Sequence, residues 1–206
     1  MQSLTALLRI SEKRAQGPSP TFDRAHILLA FLTIGDSATI GRQALASNSG
    51  LGEGSVRTVL KKLRDAGYAE VDASGSRLTR RGRSVYAVLR GRLSPIVSLE
   101  GSRLTVGDRQ AAIGVRGGAR RLKSGIEQRD SAIMVGAAGA TTYAIRGAKF
   151  SIPGGSSNCE EDFPSDVWKV LREKVAPRDG DAVVLCGAQG DHKARLGALA
   201  AALTLL

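Results

Sequence analysis

The sequence predicts an α+β protein that is built from two domains. Three observations lead to this prediction. The first part of the chain has the order helix, helix, helix, hairpin, helix; Pro95 then interrupts the helical pattern; and a glycine-rich region of strands and helices follows. A chain of 206 residues is long enough for two small domains, each with its own core. We therefore assign residues 1–94 to a first domain and residues 95–206 to a second, mixed α/β domain.

Composition excludes several classes of protein. Two cysteines without Cys-x-x-Cys spacing argue against a disulfide scaffold and against a structural zinc site, and nothing else in the sequence predicts a metal or a cofactor. The apolar segments are shorter than the roughly 20 residues that span a bilayer. Residues 1–10 also lack the features of a secretory signal. We expect a soluble, cytoplasmic protein with no membrane partner.

Three helices are predicted in the first domain. Asp23 is placed to cap a helix over residues 24–34, and a short second helix is expected over residues 40–47. The third helix, residues 53–66, has an apolar side and a polar side. The apolar positions of this third helix are Val56, Val59, Leu60 and Leu63. Gly67 is expected to end it.

A hairpin follows the third helix. Residues 68–71 and 77–79 have the character of strands, and the residues between them are typical of a tight turn. Helical periodicity then returns over residues 80–93. The hairpin therefore lies between two helices, in the position of a wing.

The segment LGEGSVRTVLKKLRDAGY, residues 51–68, followed by LTRRGR, residues 78–83, resembles the winged helix-turn-helix of prokaryotic transcription regulators. The resemblance covers about residues 22–93. It implies that the third helix enters the major groove of double-stranded DNA and that the wing contacts phosphate or the minor groove. The implied DNA-binding residues are Ser55, Arg57, Thr58 and Lys61 on the helix and Ser76 and Arg77 on the wing.

Charge supports a polyanionic partner. Residues 1–94 contain 15 basic and 7 acidic residues, a net charge of +8, whereas residues 95–206 have a net charge of +3. Two alternatives stay open: winged helices also bind RNA or other proteins, and Arg80, Arg81 and Arg83 are either structural or phosphate contacts. Because one winged helix contacts little DNA, we expect a homodimer that reads two half-sites.

The second domain is predicted to contain strands over residues 109–115 and 181–186, a hairpin over residues 141–152, and a final helix from Asp191. Ser124 and Glu127 have the spacing of a capping box, which predicts a helix that continues to about residue 135. A further helix is expected after Ser165.

Two segments of this domain are candidates for ligand binding. Polar residues at the start of the helix after Ser124, together with the glycine-rich segment 136–142, suggest a pocket for a small-molecule effector. The candidate residues of this pocket are Arg129, Asp130, Thr141 and Thr142. The loop 187–193 also joins a strand to a helix, a geometry that can present N–H groups to an anion. An ordinary capped helix and an ordinary tight turn are the structural alternatives.

No catalytic constellation is recognisable, so we assign no catalytic residue and do not expect an enzyme. An enzyme with its site in the second domain remains the alternative function, as does an RNA-binding or assembly module. The order of domains and the segments GIEQRD and GATT also resemble a family of uncharacterised archaeal proteins presumed to be regulators. That resemblance implies an effector-sensing or dimerisation role for residues 95–206.

Overall fold

The structure is a computed structural model that describes residues 2–11 and 22–206. The chain forms two compact units, Met1–Leu89 and Arg90–Leu206, so that the division lies a few residues before Pro95. The first unit is mainly helical and the second is built on an antiparallel sheet. The predicted α+β fold class is confirmed.

The first unit contains five α-helices and one hairpin among its described residues. Its elements are α1 (Gln2–Leu8), α2 (Arg24–Gly35), α3 (Arg42–Ser49), α4 (Glu53–Asp65), β1 (Ala69–Asp72), β2 (Gly75–Leu78) and α5 (Arg80–Arg90). A single 3₁₀ turn, Arg9–Ser11, follows α1. The order from α2 to α5 is the predicted one. Helix α1 was not predicted.

Helix α2 forms the centre of the first unit. Its N-terminus is capped by Asp23, whose carboxylate accepts a hydrogen bond from the N–H of His26 at 3.1 Å. Apart from the first turn and Gly35, its residues are buried, and Phe31 meets the ring of Tyr68 edge-on with the ring centroids 6.2 Å apart. The helix is therefore a core helix, with apolar residues on nearly all of its sides.

Helix α3 begins two residues later than predicted. Ile40 forms an isolated antiparallel bridge with Ser76, in which each residue donates its N–H to the carbonyl of the other. Because its backbone is used in this pairing, Ile40 cannot begin a helix. The helix ends at Ser49, and the chain then turns at Gly50, which is in the left-handed conformation.

The second unit is built on a five-stranded antiparallel sheet with the strand order β3-β4-β7-β5-β6. Its strands are β3 (Val97–Glu100), β4 (Arg109–Val115), β5 (Gly139–Arg146), β6 (Lys149–Ser151) and β7 (Ala182–Ala188). Its α-helices are α6 (Ile126–Met134), α7 (Cys159–Asp162), α8 (Val167–Val170) and α9 (Asp191–Leu203). A π-helical turn, Leu171–Val175, extends α8.

The central strand β7 is buried on both faces of the sheet. On one face Val183 and Leu185 join a cluster with Tyr143, Phe150 and Trp168. Helices α6 and α9 pack on the opposite face and against each other. Because side chains alternate along a strand, one buried strand serves both cores.

Asp181 anchors the start of β7. Its carboxylate accepts hydrogen bonds from the Arg116 guanidinium at 2.6 Å and from the N–H groups of Gly117 and Arg178 at 2.9 Å each. Burial alone would raise the pKa of Asp181, but these hydrogen bonds outweigh it and hold the pKa below the usual value of an aspartate. The group is therefore a buried, fully bonded carboxylate.

Candidate functional site

The candidate nucleic-acid interface lies on α4. Val56, Val59, Leu60 and Leu63 are buried, as predicted, and fasten this helix to its own unit. The other side of α4 presents polar residues. Arg57, Thr58 and Lys61 are exposed on it and Ser55 is half-buried. The helix thus has the two-sided character that groove binding requires.

A groove of about 420 Å³ runs between α4 and the hairpin. Four cationic side chains from α3 and α4 line it, together with residues of the hairpin. The lining residues are Arg42, Arg57, Lys61, Arg64, Leu60, Val71 and Asp72. A concave surface that carries four positive charges and one carboxylate attracts polyanions.

Asp65 is the acidic neighbour of this groove. It accepts a hydrogen bond from Lys61 at 3.1 Å and lies 3.5 Å from Arg64. The hydrogen bond from Lys61 lowers the pKa of Asp65 below its usual value. All three side chains are about half exposed or more, so this ion pairing is weak and can be exchanged for contact with phosphate.

The hairpin departs from the prediction for a wing. Ser76 is completely buried and its backbone is paired with Ile40, so the assignment of Ser76 as a DNA-contacting residue is wrong. Along β2 the alternation of the strand turns Ser76 and Leu78 inward, which leaves Arg77 on the outer side.

Arg77 is held by carboxylates of the hairpin itself. Its guanidinium donates to Glu70 at 2.9 Å and to Asp72. Hydrogen bonds from the hydroxyl and N–H of Ser74, and then from Arg77, lower the pKa of Asp72 to about 2. Asp72 therefore stays ionised and neutralises Arg77. The positive charge of the groove therefore comes from α3 and α4 rather than from the hairpin.

The arginines at the start of α5 have separate environments. The guanidinium of Arg81 stacks over the ring of Tyr68 at 4.8 Å, and Arg83 donates to the carbonyl of Leu78 at 2.7 Å. Arg80 is exposed. Of the two alternatives left open for Arg81 and Arg83, the structural one accounts for these contacts.

Sequence reasoning missed Arg42 and Arg64, which line the groove. Arg64 is seven residues after Arg57 on α4, which places it two turns along on the same side, and this spacing was a usable signal. Arg42 lies on a different helix. Only the packing of α3 against α4 brings it to the groove, and no local pattern predicts that.

The second unit contains a shallow pocket of about 150 Å³ between the start of α6 and strand β5. Three of the four predicted ligand-binding residues, Arg129, Thr141 and Thr142, lie among its lining residues. The others are Ser124, Gly125, Ile126, Ala140 and Ile152. Asp130 does not line the pocket, but it is hydrogen-bonded to Arg129 at 2.9 Å and 3.0 Å. The structure thus brings the two predicted segments together.

The start of α6 is not capped as predicted. Gly125, in the left-handed conformation, is the N-cap residue, and no side chain makes a capping hydrogen bond. Ser124 only accepts a long hydrogen bond of 3.4 Å from the N–H of Ile126. The capping box of Ser124 and Glu127 is therefore wrong, because a glycine occupies the capping position. The first turn keeps N–H donors that no side chain caps.

The two threonines of the pocket differ in their bonding. The hydroxyl of Thr141 donates to the carbonyl of Leu104 at 3.1 Å. Thr142 is only 4% exposed, and its Oγ1 has no hydrogen-bond partner. Thr142 therefore brings an unpaired hydroxyl to this pocket, and protein interiors rarely leave a buried hydroxyl in that state.

The glycines of the loop after β7 have a packing role. A Cβ at Gly187 would lie 1.6 Å from the carbonyl oxygen of Val106, so the lack of a side chain there permits close backbone packing. Gly190 has a positive φ of 100° and precedes α9. The structural alternative for this loop therefore accounts for both glycines.

Both cysteines are free and buried. In the part of the chain that the structure describes, no group of three or more His, Cys, Asp or Glu side chains is placed to hold a metal ion. Over residues 2–11 and 22–206, every helix is too short or too polar to cross a bilayer.

Comparisons with known proteins give a family match for part of the chain. Residues 106–205 match the model of DUF4443, a domain of unknown function. A solved structure of the hypothetical protein PH0730 from Pyrococcus horikoshii OT3 is 28% identical, with a TM-score of 0.71 over 88% of this chain and 91% of that chain. No curated protein matches the sequence. These findings fit an uncharacterised archaeal family whose activity neither match identifies.

Proposed function

We propose that this protein is a transcriptional regulator that binds double-stranded DNA through α4 and carries an effector-sensing or dimerisation domain in its second half. The observation that supports DNA binding best is the groove lined by Arg42, Arg57, Lys61 and Arg64. These side chains project from two helices whose other faces are buried. They are placed to neutralise several neighbouring phosphates at once.

The hairpin has a smaller part in this proposal than in the winged-helix resemblance. Arg77 is neutralised by Glu70 and Asp72, and contact with a phosphate would bring that phosphate close to both carboxylates. Affinity for DNA is therefore assigned to α3 and α4. The hairpin closes one side of the groove.

Binding to random and selected duplexes tests this proposal. The double variant Arg57→Ala/Lys61→Ala should bind a selected duplex about 10- to 100-fold more weakly, with a salt slope shallower by about 2, because two phosphate contacts are lost. The matched control Arg77→Ala removes one positive charge from the same unit, and it should change affinity by less than about threefold. Fluorescence anisotropy at several salt concentrations measures both quantities.

The outcomes separate DNA from the alternatives. Recovery of a palindromic motif from random duplexes would support a regulator that reads two half-sites. Equal losses in Arg57→Ala/Lys61→Ala and in Arg77→Ala would overturn the assignment to α4. Tighter binding to RNA hairpins than to any selected duplex would replace DNA by RNA as the partner.

We propose further that the pocket beside α6 takes a small ligand with a hydrogen-bonding oxygen. The uncapped first turn of α6 and Arg129 offer donors, and the unpaired hydroxyl of Thr142 offers both a donor and an acceptor. A carboxylate or phosphate group has the oxygens to accept hydrogen bonds from these donors.

A thermal-shift screen of inorganic phosphate and small carboxylic acids tests the pocket. A ligand present at about 100 times its Kd stabilises the fold by about 2.7 kcal/mol, which raises the melting temperature. Arg129→Ala and Thr142→Val should each remove that rise, whereas Arg146→Ala, which changes an exposed arginine outside the pocket, should keep it. A rise that survives both pocket variants would overturn the assignment.

A further inference from the structure

The outer face of α6 is unusually apolar for a helix at a protein surface. Ile126 is 53% exposed, Ile133 47% and Met134 86%. Burial is described for residues 5–10 and 22–206, and seven large hydrophobic residues are exposed there. Three of the seven lie on α6, which has only nine residues. Such a concentration of exposed apolar side chains marks an interaction site.

Two opposite charges lie between the two isoleucines. Arg129 and Asp130 are about half exposed and bonded to each other at 2.9 Å. At 100° per residue, Ile126, Arg129, Asp130 and Ile133 fall on one side of the helix, and Gln128 and Ala132 are buried on the other. Along the helix, the exposed face therefore presents an apolar, a positive, a negative and again an apolar side chain.

This order of side chains complements the same order on a second copy of the helix that runs in the opposite direction. If two copies of α6 cross in antiparallel orientation about a twofold axis between positions 129 and 130, Ile126 faces the partner subunit's Ile133. The same operation places Arg129 opposite the partner subunit's Asp130, and each contact occurs twice. Such correspondence is the property of an isologous interface.

We propose that two copies of this chain form a homodimer in which the α6 helices pack antiparallel through Ile126, Arg129, Asp130 and Ile133. The occupant of this face is a second copy because the pattern of charge and apolar residues complements itself. An exposed ion pair contributes little stability, so exchanging the two Arg129–Asp130 pairs within the chains, one in each copy, for two pairs between the chains costs little.

The size of the face predicts the strength of the dimer. A helix of nine residues is about 13 Å long, and its contact alone is smaller than the roughly 1,600 Å² of a standard interface. We therefore expect a dimer with a micromolar Kd. This inference rests on the proposed function only in that DNA with two half-sites would hold both copies and strengthen their association.

Charge variants test the pairing directly. Arg129→Asp makes both central positions acidic, and Asp130→Arg makes both basic, so each variant places like charges opposite each other in a homodimer. Each should raise the dimer Kd about tenfold or more. An equimolar mixture of the two variants restores opposite charges at both contacts. It should form a heterodimer about as tight as the wild-type dimer.

Two further variants keep the test independent of the ligand pocket and of folding. Ile133→Glu changes the face without touching the pocket that Arg129 lines, and it should also yield monomers. Arg146→Asp makes the same charge change as Arg129→Asp at an exposed position of β5, and it should remain dimeric. The residues changed on α6 are exposed, so the melting temperatures of the variants should stay within a few degrees of the wild type.

Sedimentation equilibrium distinguishes one 21.6 kDa chain from two and gives each Kd. A monomeric wild type at the highest soluble concentration would overturn the proposal. So would dimers of Arg129→Asp and Asp130→Arg that are as tight as the wild type, or a mixture that stays monomeric. DNA binding is measured separately. A dimer that binds no DNA would therefore contradict the proposed function without contradicting this interface.

Discussion

The buried hydroxyl of Thr142 leads to a prediction that is unusual for a core substitution: its removal should stabilise the protein. Thr142 lies in β5, 4% exposed, and its Oγ1 has no hydrogen-bond partner. Valine has nearly the same shape, and it is a favourable residue in a strand. Thr142→Val therefore replaces an unpaired polar atom by a methyl group and leaves the packing almost unchanged.

The magnitude follows from the burial of that one atom. A buried donor or acceptor without a partner costs about 1–3 kcal/mol, and a newly buried methyl group contributes about 0.8 kcal/mol. Since some relaxation around the hydroxyl reduces its cost, we expect Thr142→Val to raise the free energy of unfolding by about 1 kcal/mol. That corresponds to an increase in melting temperature of roughly 4 °C.

Its neighbour Thr141 provides a matched control. The Thr141 hydroxyl donates to the carbonyl of Leu104 at 3.1 Å, so Thr141→Val removes a real hydrogen bond by the same chemical change in the same strand. We expect this variant to lose about 1 kcal/mol. Urea denaturation of both variants, analysed with a common m-value, should give changes in the free energy of unfolding, relative to the wild type, that have opposite signs.

One result would refute the reasoning. If Thr142→Val destabilised the protein by as much as Thr141→Val does, then the Thr142 hydroxyl would have a bonding partner in solution. The pocket beside α6 would then lose the unpaired group on which the proposed ligand site depends.

Three further predictions concern the second unit. Asp181→Asn should cost about 2 kcal/mol at pH 7, because the carboxylate bonds a guanidinium and two N–H groups. Since folding lowers the pKa of Asp181, its contribution is complete above the unfolded pKa near 4 and should disappear from pH titrations of stability as pH falls through the folded value. Gly187→Ala should destabilise by about 3 kcal/mol in the same denaturation assay, because the new Cβ would overlap the Val106 carbonyl. Burial raises the pKa of Cys186 to about 12, so this thiol should resist alkylation at pH 8 until the chain unfolds, as mass spectrometry would show.

The sequence predicted well where local patterns decide the structure. The bounds of α4 and β4 agree with the prediction to within a residue, because each has a clear period and a clear start or stop signal. The exposed positions Arg57, Thr58 and Lys61 followed from the same period.

Prediction from the sequence failed where pairing with a distant part of the chain determines the local structure. Strand β3 was not predicted, since Val97 and its neighbours form a strand by pairing with β4 and not through a pattern of their own. The start of α3 was displaced because Ile40 pairs with Ser76, and the same bridge buries a residue that was expected to contact DNA. Long-range backbone pairing leaves no periodic trace in either segment.

In helix α6 the large apolar residues Ile126 and Ile133 are exposed. Its large apolar residues would ordinarily mark the side that faces the core. The core here is built from small residues instead: a Cβ on Gly197 of α9 would lie 3.5 Å from the Cβ of Ala132 on α6, and 2.7 Å from that of Ala137, which follows α6. Helices that approach this closely leave no room for an isoleucine between them, so Ile133 must turn outward. The close packing of small side chains in the second unit is therefore also the reason why α6 presents an apolar face to solvent, where the proposed dimer would bury it.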